Sequence, residues 1–460
     1  MVVMTSFADL GLPAGIANQL RKQGISIPFP IQAAAIPDAL AGRDILGRAP
    51  TGSGKTFAFG LPMIARLSSS GASKPSQPRG VILTPTRELA AQISERLRAV
   101  AQPVGLRVLE VVGGVSIGNQ IRQLAAPVDI LVATPGRALE LIELKHLNLS
   151  QAQMVVLDEA DLMADLGFLP QVVKLLKRTP RTGQRLFFSA TLDGDVKQLV
   201  AKFMNNPVTH ATAEVTATID TMKHYCFQVD NKRNRNHVVA RIANRKGKTI
   251  MFMRTKYGVD RQVHKLRQVG VNAAGLHGDK SQIIRTAVVS AFSQGRIPVL
   301  VATDIAARGI DISAIDVVVH IDPPADYKGY LHRAGRTARA GATGKVITLV
   351  LADQTDEVNQ LLHKAGVTAE TFNITPESPE LIELTQATPP SGQALGELHL
   401  QLPEAQHSHR RGSRGKQSGA SEGRGRGHRR KAGKKSSWGG SPEVSIHSTK
   451  RSGNRKVRGR

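Results

Sequence analysis

The sequence is short of four things. It has one cysteine, Cys226, in 460 residues, which excludes an internal disulfide or a thiolate metal cage and fits a reducing compartment. Disulfide-stapled folds and zinc fingers are therefore excluded, and Cys226 reads as a structural residue. Aromatic residues make up only 4% of the chain, which leaves few platforms for stacking. No apolar run approaches the ~18 to 20 residues that a membrane span needs, and the first ten residues lack the basic start and apolar stretch of a secretion signal. A soluble, unexported, cytoplasmic protein is expected. Acids are scarce too, 36 Asp and Glu against 62 Lys and Arg, for a net charge of +26. What is present is 41% hydrophobic residues, enough for real cores. At about 100 to 200 residues per domain the length suggests two or three domains. A wholly disordered chain is excluded.

The positive charge is uneven. From His407 to Arg460, 17 Lys and Arg face two acids, Glu422 and Glu443, whereas Pro376 to Glu404 has five Glu and no base. The basic stretch is rich in Arg, Gly, Ser and Lys and offers almost nothing aliphatic to pack, so a disordered basic C-terminal tail is expected. Upstream, short apolar runs recur at 44–46, 81–83, 129–132, 154–157 and 186–188, each closing on a small or polar cluster before a helix-like segment. After the weakly patterned residues 209–221 the rhythm resumes at 249–252, 299–301, 317–319 and 346–350. Continuous apolar strands separated by helices predict α/β domains with parallel sheets covered on both faces. The expected divisions are a first domain over 1–208, a flexible linker over 209–222, a second domain over 223–370 and a disordered extension over 371–460. Ligands of open α/β sheets bind beyond the carboxyl ends of the strands, so the polar residues after each run are where chemistry is expected.

After Ile45-Leu46 comes Ala49-Pro50-Thr51-Gly52-Ser53-Gly54-Lys55-Thr56. Glycines let backbone N–H groups curl around phosphate oxygens, Lys55 can reach terminal phosphates and the Thr56 hydroxyl suits Mg²⁺. The generic phosphate loop has Gly where this chain has Ala49, so an ordinary Gly-rich turn is the alternative for this segment taken alone. The run Met154–Leu157 ends in Asp158-Glu159. Asp158 is placed to hold Mg²⁺, partly through water, and Glu159 to orient and deprotonate the water that attacks a γ-phosphate. For the acidic pair alone, a solvated turn is the alternative.

Asp158-Glu159-Ala160-Asp161 following Ala49–Thr56 resembles the DEAD-box RNA helicases of superfamily 2, whose loop begins with Ala. The resemblance runs from Phe7 to about Val350, with the motifs in the family's order, and has a bacterial look. It implies two tandem RecA-like domains, RNA-dependent ATP hydrolysis, and ATP with Mg²⁺ as cofactors. Phe7 and Gly24–Gln32 look like the family's adenine-reading segment: the Gln32 amide can donate and accept at once, as adenine's edge requires, and Phe7 offers an apolar face. Ser189-Ala190-Thr191 is similar to the coupling motif that bridges the Asp161 region and the second domain. Arg336 and Arg339 within His332–Arg339 share a helix face at their spacing of three, and resemble the arginine-finger motif that clamps the γ-phosphate. His332 is expected to contact the Ser189 and Asp161 network. In Ala302–Asp311 the resemblance sets Asp304 toward the ribose and Asp311 behind the arginines.

Sequence-independent grip on a strand must go through its backbone. The resemblance supplies candidates after the first domain's strands: Pro85, Thr86 and Arg87 with Glu88, then Gly113 and Gly114, then Thr134, Pro135, Gly136 and Arg137. In the second domain they are Arg254, Thr255, His277, Gly278 with Asp279, Gln282, Arg285 and Thr303. For Gly113, Gly114 and Asp279 a plain turn or cap is an equal alternative. The few aromatics favour backbone tracking, and preference for RNA over DNA through 2′-hydroxyls is implied by the family. The tail would add salt-sensitive affinity for RNA, with Trp438 a candidate base-stacking residue. The function expected is an ATP-dependent RNA helicase that unwinds short duplexes or remodels RNA–protein complexes. The alternatives are an RNA chaperone acting through its tail and a superfamily 2 helicase acting on DNA. Ribosomal or RNA-decay proteins are candidate partners, and no membrane is involved.

Overall fold

The computed structural model describes residues 6–49, 52–192, 194–211, 222–307, 315–338, 343–398, 400–401 and 443–444. Pro50, Thr51, Asp311, Arg339 and Trp438 lie outside them, as does most of the basic tail.

In the first lobe the strands are β1 (Ile45–Arg48), β2 (Gly80–Leu83), β3 (Val108–Val111), β4 (Ile130–Ala133), β5 (Met154–Leu157), β6 (Gln184–Ser189) and β7 (Val208–Ala211), ordered β3-β4-β2-β5-β6-β1-β7 in one sheet. The helices between and before them are α1 (Ala14–Lys22), α2 (Pro30–Leu40), α3 (Lys55–Ser68), α4 (Arg87–Ala101), α5 (Ile117–Leu124), α6 (Pro135–Glu143), α7 (Ala160–Asp165), α8 (Leu169–Leu176) and α9 (Gly194–Phe203). Every pairing is parallel. The central strands β2, β4 and β5 are buried along their whole length, which is why they read as unbroken apolar runs rather than alternations. One hydrophobic cluster, with Ile36, Phe59 and Ile82, lies on one face of the sheet, and another, with Leu131, Leu141 and Phe187, on the other. Gly47 on β1 is bare because the ring of Phe188 on the neighbouring strand occupies the space a Cβ would need.

The second lobe repeats this plan. Its strands are β8 (Met222–Val229), β9 (Thr249–Phe252), β10 (Ala273–Leu276), β11 (Val299–Ala302), β12 (Val317–His320), β13 (Gly344–Leu351) and β14 (Glu370–Asn373), ordered β10-β11-β9-β12-β13-β8-β14. Each strand holds the position of the strand seven earlier, so the two sheets are one topology used twice. The helices are α10 (Lys232–Ala243), α11 (Lys256–Gln268), α12 (Gln282–Ser293), α13 (Asp304–Ala307), α14 (Tyr327–Ala334), α15 (Thr355–Ala365) and α16 (Pro379–Thr385). Side chains at the helix starts accept from free first-turn amides, as caps do: Thr86 from Leu89 N, Thr255 from Gly258 N, Ser281 from Ile284 N and Asp326 from Gly329 N.

Two expected boundaries move. The first sheet runs to Ala211 because β7 pairs with β1, so the start of the segment expected as linker is strand. The extension expected to be disordered from 371 is ordered as far as it is described, to 398. Strand β14 pairs with β8 through Asn373, and Ile374, Leu381 and Ala387 enter the second lobe's core. Beyond them Asn244 Nδ2 donates to Pro389 O at 2.9 Å, and Leu395 N donates to Arg267 O at 2.9 Å, strapping the segment along the lobe. Apolar residues are sparse there, but most of them, Phe372, Ile374, Leu381, Leu384 and Ala387, pack in or against the core. From Glu397 onward the chain forms a separate unit, in which Leu400–Gln401 pairs antiparallel with Glu443–Val444. Among the described residues no helix is long and apolar enough to cross a membrane.

Candidate functional site

The loop after β1 enters α3 through Gly54, whose φ of +88° only glycine adopts freely. Gln32 pins this turn: its Nε2 donates to Gly54 O at 2.9 Å, while its Oε1 accepts from Phe29 N at 2.9 Å. Both ends of the amide expected to read adenine are thus engaged by the chain itself. Phe7 is 2% exposed and packs in the core, so it presents no free face. An aromatic face beside the loop is offered instead by Phe29, 44% exposed and close against Gly54. Ala49 N donates to Ser189 O at 3.1 Å, tying the loop to the end of β6. The Ser53 hydroxyl is buried without a hydrogen-bond partner, an orphaned donor in a loop of phosphate-binding composition.

Lys55 and Glu159 form a buried ion pair at 3.0 Å. Glu159 sits at φ +55°, a strained conformation for a side-chain-bearing residue and one that clusters at functional sites. Burial pushes its carboxyl up, but Lys55 and then His332 and Arg336 outweigh this and hold it near 2. Beside it Asp158 is driven the other way, to about 7, by burial first, with Lys55 opposing and Glu159 adding. Two adjacent carboxyls are therefore pushed in opposite directions, Glu159 down and Asp158 up.

Asp161 is held by the segment after β6. Its Oδ2 accepts from Ala190 N at 3.2 Å, Thr191 N at 2.9 Å and Thr191 Oγ1 at 3.1 Å, and Ser189 Oγ accepts from Asp161 N at 3.2 Å. The expected cluster of Asp161, Ser189 and Thr191 thus closes within the first lobe. From the second lobe His332 and Arg336 reach the site through their charge on Glu159. Arg336 is 4% exposed, and its Nε donates to His332 O at 3.2 Å. Asp304, expected to face a ribose, has both carboxylate oxygens hydrogen-bonded by Arg333, with Arg333 Nη2 at 2.8 Å from Oδ2. The run of arginines gave no sign that Arg333 faces inward and Arg336 toward the first lobe.

The strand-contact candidates fall on one half of each sheet. In the first lobe they follow β2, β3 and β4, which are neighbours; in the second they follow β9, β10 and β11, the equivalent three. Gly114, at φ +74°, leaves the space that Arg87 fills. Arg137 is buried and donates to Gln120 Oε1 at 2.7 Å and Glu140 Oε2 at 2.9 Å. Thr134 and Pro135 open α6, with Gly136 exposed on its first turn. Arg254, Thr255 and Gly278 are exposed and Thr303 is half-buried, whereas Pro85, Thr86 and His277 are buried. His277 pairs with Asp260 at 3.1 Å. Burial lowers the pKa of Arg87, as do the neighbouring Arg285 and Arg137, with Glu88 opposing. Such crowding of guanidinium groups suits a polyanion. Glu88 is the residue whose contacts the sequence reading underweighted: 7% exposed, it accepts from both Gln282 and Arg285 of the other lobe. Its only signal was an acid set among basic strand-facing residues.

Among known proteins, the DEAD/DEAH box helicase pattern matches residues 29–199 and the helicase conserved C-terminal domain pattern residues 233–341. The DEAD-box ATP-dependent RNA helicase CshA of Bacillus licheniformis is 38% identical over 355 residues, 76% of this chain and 72% of that protein. The ATP-dependent rRNA helicase RRP3 of Yarrowia lipolytica is 40% identical over 347 residues, 75% and 72% of the two chains. Among solved structures, S. cerevisiae Dbp5 bound to RNA and ADP BeF3 is similar with a TM-score of 0.73 and 28% identity, over 83% of this chain and 98% of that one. Mss116p bound to ssRNA and AMP-PNP is similar with a TM-score of 0.72 and 26% identity, over 84% and 82%. With two like-wound RecA-type lobes, a glycine loop and an adjacent acidic pair, this chain belongs to the DEAD-box family of ATP-dependent RNA helicases.

Proposed function

We propose that the chain hydrolyses ATP at the seam of its two lobes while both lobes grip one RNA strand, and that lobe closure pulls short duplexes apart. The observation that carries this reading is Glu159, a first-lobe carboxylate kept ionised by Lys55 from its own lobe and by His332 and Arg336 from the other. A base assembled from both lobes works only when they meet.

Thr56 and Asp158 are the residues that would hold magnesium. They are hard oxygen donors, few in number as magnesium favours, and a cation bound beside the buried Asp158 would favour its charged form against the burial that raises its pKa. When bound, the ion neutralises charge on the phosphate oxygens. The chain's own residues do the rest. Lys55 leaves Glu159 to meet the terminal phosphates. Glu159 orients a water whose oxygen bonds to the γ-phosphorus as the bond to the ADP oxygen breaks, and takes its proton. Arg336, with Arg339, offsets the charge that spreads over the γ-oxygens. Asp161, Ser189 and Thr191 hold the acidic turn against the end of β6, so the loop and the acids move together. Gln32 sets the height of the loop, and Phe29 is placed to face the base.

RNA lies across the loops after β2, β3 and β4 and after β9, β10 and β11, and is held through its backbone by hydroxyl, guanidinium and amide groups. A strand that touches both lobes favours their closed arrangement, and hydrolysis ends it. The protein acts in the cytoplasm, and the basic tail tethers RNA non-specifically. The test is ATP hydrolysis and strand displacement on a short RNA duplex beside the matched DNA duplex. Stimulation by RNA alone supports the reading; equal stimulation by DNA, or none by either, overturns it.

A further inference from the structure

Beneath α14, the helix that carries His332 and leads into Arg336, lies a chain of buried polar side chains that the hydrolysis reaction does not use. His224 on β8, His320 on β12, Thr348 on β13 and Tyr330 on α14 are each no more than 5% exposed. His224 Nδ1 and the Tyr330 hydroxyl are 2.8 Å apart, and Thr348 Oγ1 lies 3.1 Å from His320 Nδ1. The rings interlock as well: His320 meets Tyr330 edge-on with centroids 5.0 Å apart, and Phe252 meets His320 at 6.2 Å. Phe252 in turn lies under the Arg333 guanidinium at 5.1 Å.

A lobe core could fill this space with aliphatic side chains at no cost in unpaired polar atoms; here two polar pairs offset part of the burial cost while His320 Nε2 stays buried without a hydrogen-bond partner, a burden that points to a role beyond packing. Tyr330 meets the His224 imidazole through its hydroxyl and the His320 imidazole through its ring, so α14 must sit at one height for both contacts to close. We infer that His224, Thr348 and His320 are positioning residues for ATP hydrolysis, which act through Tyr330 on α14 to set His332 and Arg336 against Glu159. The inference rests on the seam reading of Glu159 and Arg336 given above.

Tyr330→Phe removes one oxygen and leaves the ring contact with His320. In the full-length protein, kcat for RNA-stimulated ATP hydrolysis is expected to fall roughly five- to tenfold, the kinetic equivalent of about one neutral hydrogen bond. KM for ATP and RNA affinity should change less than about twofold. Thr348→Val should act in the same sense, and His224→Gln, which keeps a hydrogen-bonding amide, should retain more kcat than His224→Leu. Arg336→Ala is made in parallel and combined with Tyr330→Phe; because the tyrosine acts through the arginine, the double variant should turn over no slower than Arg336→Ala alone. Unchanged kcat in Tyr330→Phe, a rise in KM in its place, or additive losses in the double variant would overturn the inference while leaving the seam reading intact. Full activity in Arg336→Ala would sink both.

Discussion

Arg285 of the second lobe donates its Nε to Glu88 Oε1 of the first at 2.7 Å, and Gln282 one turn before it donates to the same oxygen at 3.0 Å. Residues expected to face RNA thus also join the lobes, and the joint sits at the head of α4 between Arg87 and the second lobe. At this end of the RNA-contact candidates the lobes are drawn together by a buried charge pair.

Glu88→Ala leaves Arg285 without its partner. Charged hydrogen bonds contribute about 1.5 to 3 kcal/mol each, so the RNA concentration for half-maximal ATPase is expected to rise roughly ten- to a hundredfold, with the melting of each lobe little changed. RNA titration of ATP turnover is the measurement; an unchanged midpoint would show that the latch plays no part in closure.

Glu159→Gln removes the base and frees Lys55 from its ion pair. Hydrolysis should fall at least a hundredfold, while ATP affinity rises and RNA release stalls. Lys55→Ala has the opposite signature, loss of nucleotide binding. Filter binding of labelled ATP beside turnover separates the two, and turnover at the parent rate by Glu159→Gln would remove it from the mechanism.

Glu110, on β3, carries a pH signature. Burial raises its carboxyl to about 7, with Arg98 opposing and Glu88 adding. The unfolded chain releases this proton near pH ~4.3, so between there and about 7 the folded state binds the extra proton, and stability falls as pH rises through that window. Glu110→Gln should raise the melting temperature by a few degrees at pH 8 and leave it unchanged at pH 5. A gain of equal size at both values would contradict the assignment.

Cutting the chain after Thr375 removes Leu381 and Ala387 from the second lobe's core, whereas cutting after Gly396 spares them. The longer product should keep RNA-stimulated hydrolysis and lose only salt-sensitive RNA affinity; the shorter should melt several degrees lower. Loss of turnover in the longer product would instead favour a chaperone working through its tail.

The sequence was readable where burial is complete on both sides. β2, β4, β5, β9, β11 and β12 stand out as apolar runs, and the polar residues following them mark the site. Edge strands were hidden: β3 is broken by Glu110, β10 is Ala-Ala-Gly-Leu, and β14 carries Glu370, Thr371 and Asn373. Strands with one open flank need less apolar material, so the pattern fades. The phosphate loop and acidic pair were legible because their spacing is local. The partners of Glu88 and Asp304 were not, because those pairs join residues 197 and 29 positions apart, a distance at which composition says nothing of contact. Gln32 and Phe7 were legible as a motif, but their hydrogen bonding and depth depend on packing.

The duplicated topology has a stoichiometric consequence. β8 occupies in its sheet the slot that β1 occupies in the other, yet the helix that follows it is sealed from within: Asn231 Oδ1 accepts from Arg233 N at 3.0 Å and Asn234 N at 2.9 Å. The amides an anion would seek are already satisfied by the chain. One half of the duplicate thus enters its helix through a glycine loop while the other closes the matching helix with its own asparagine, so calorimetric titration is expected to saturate at a single equivalent of nucleotide for each polypeptide.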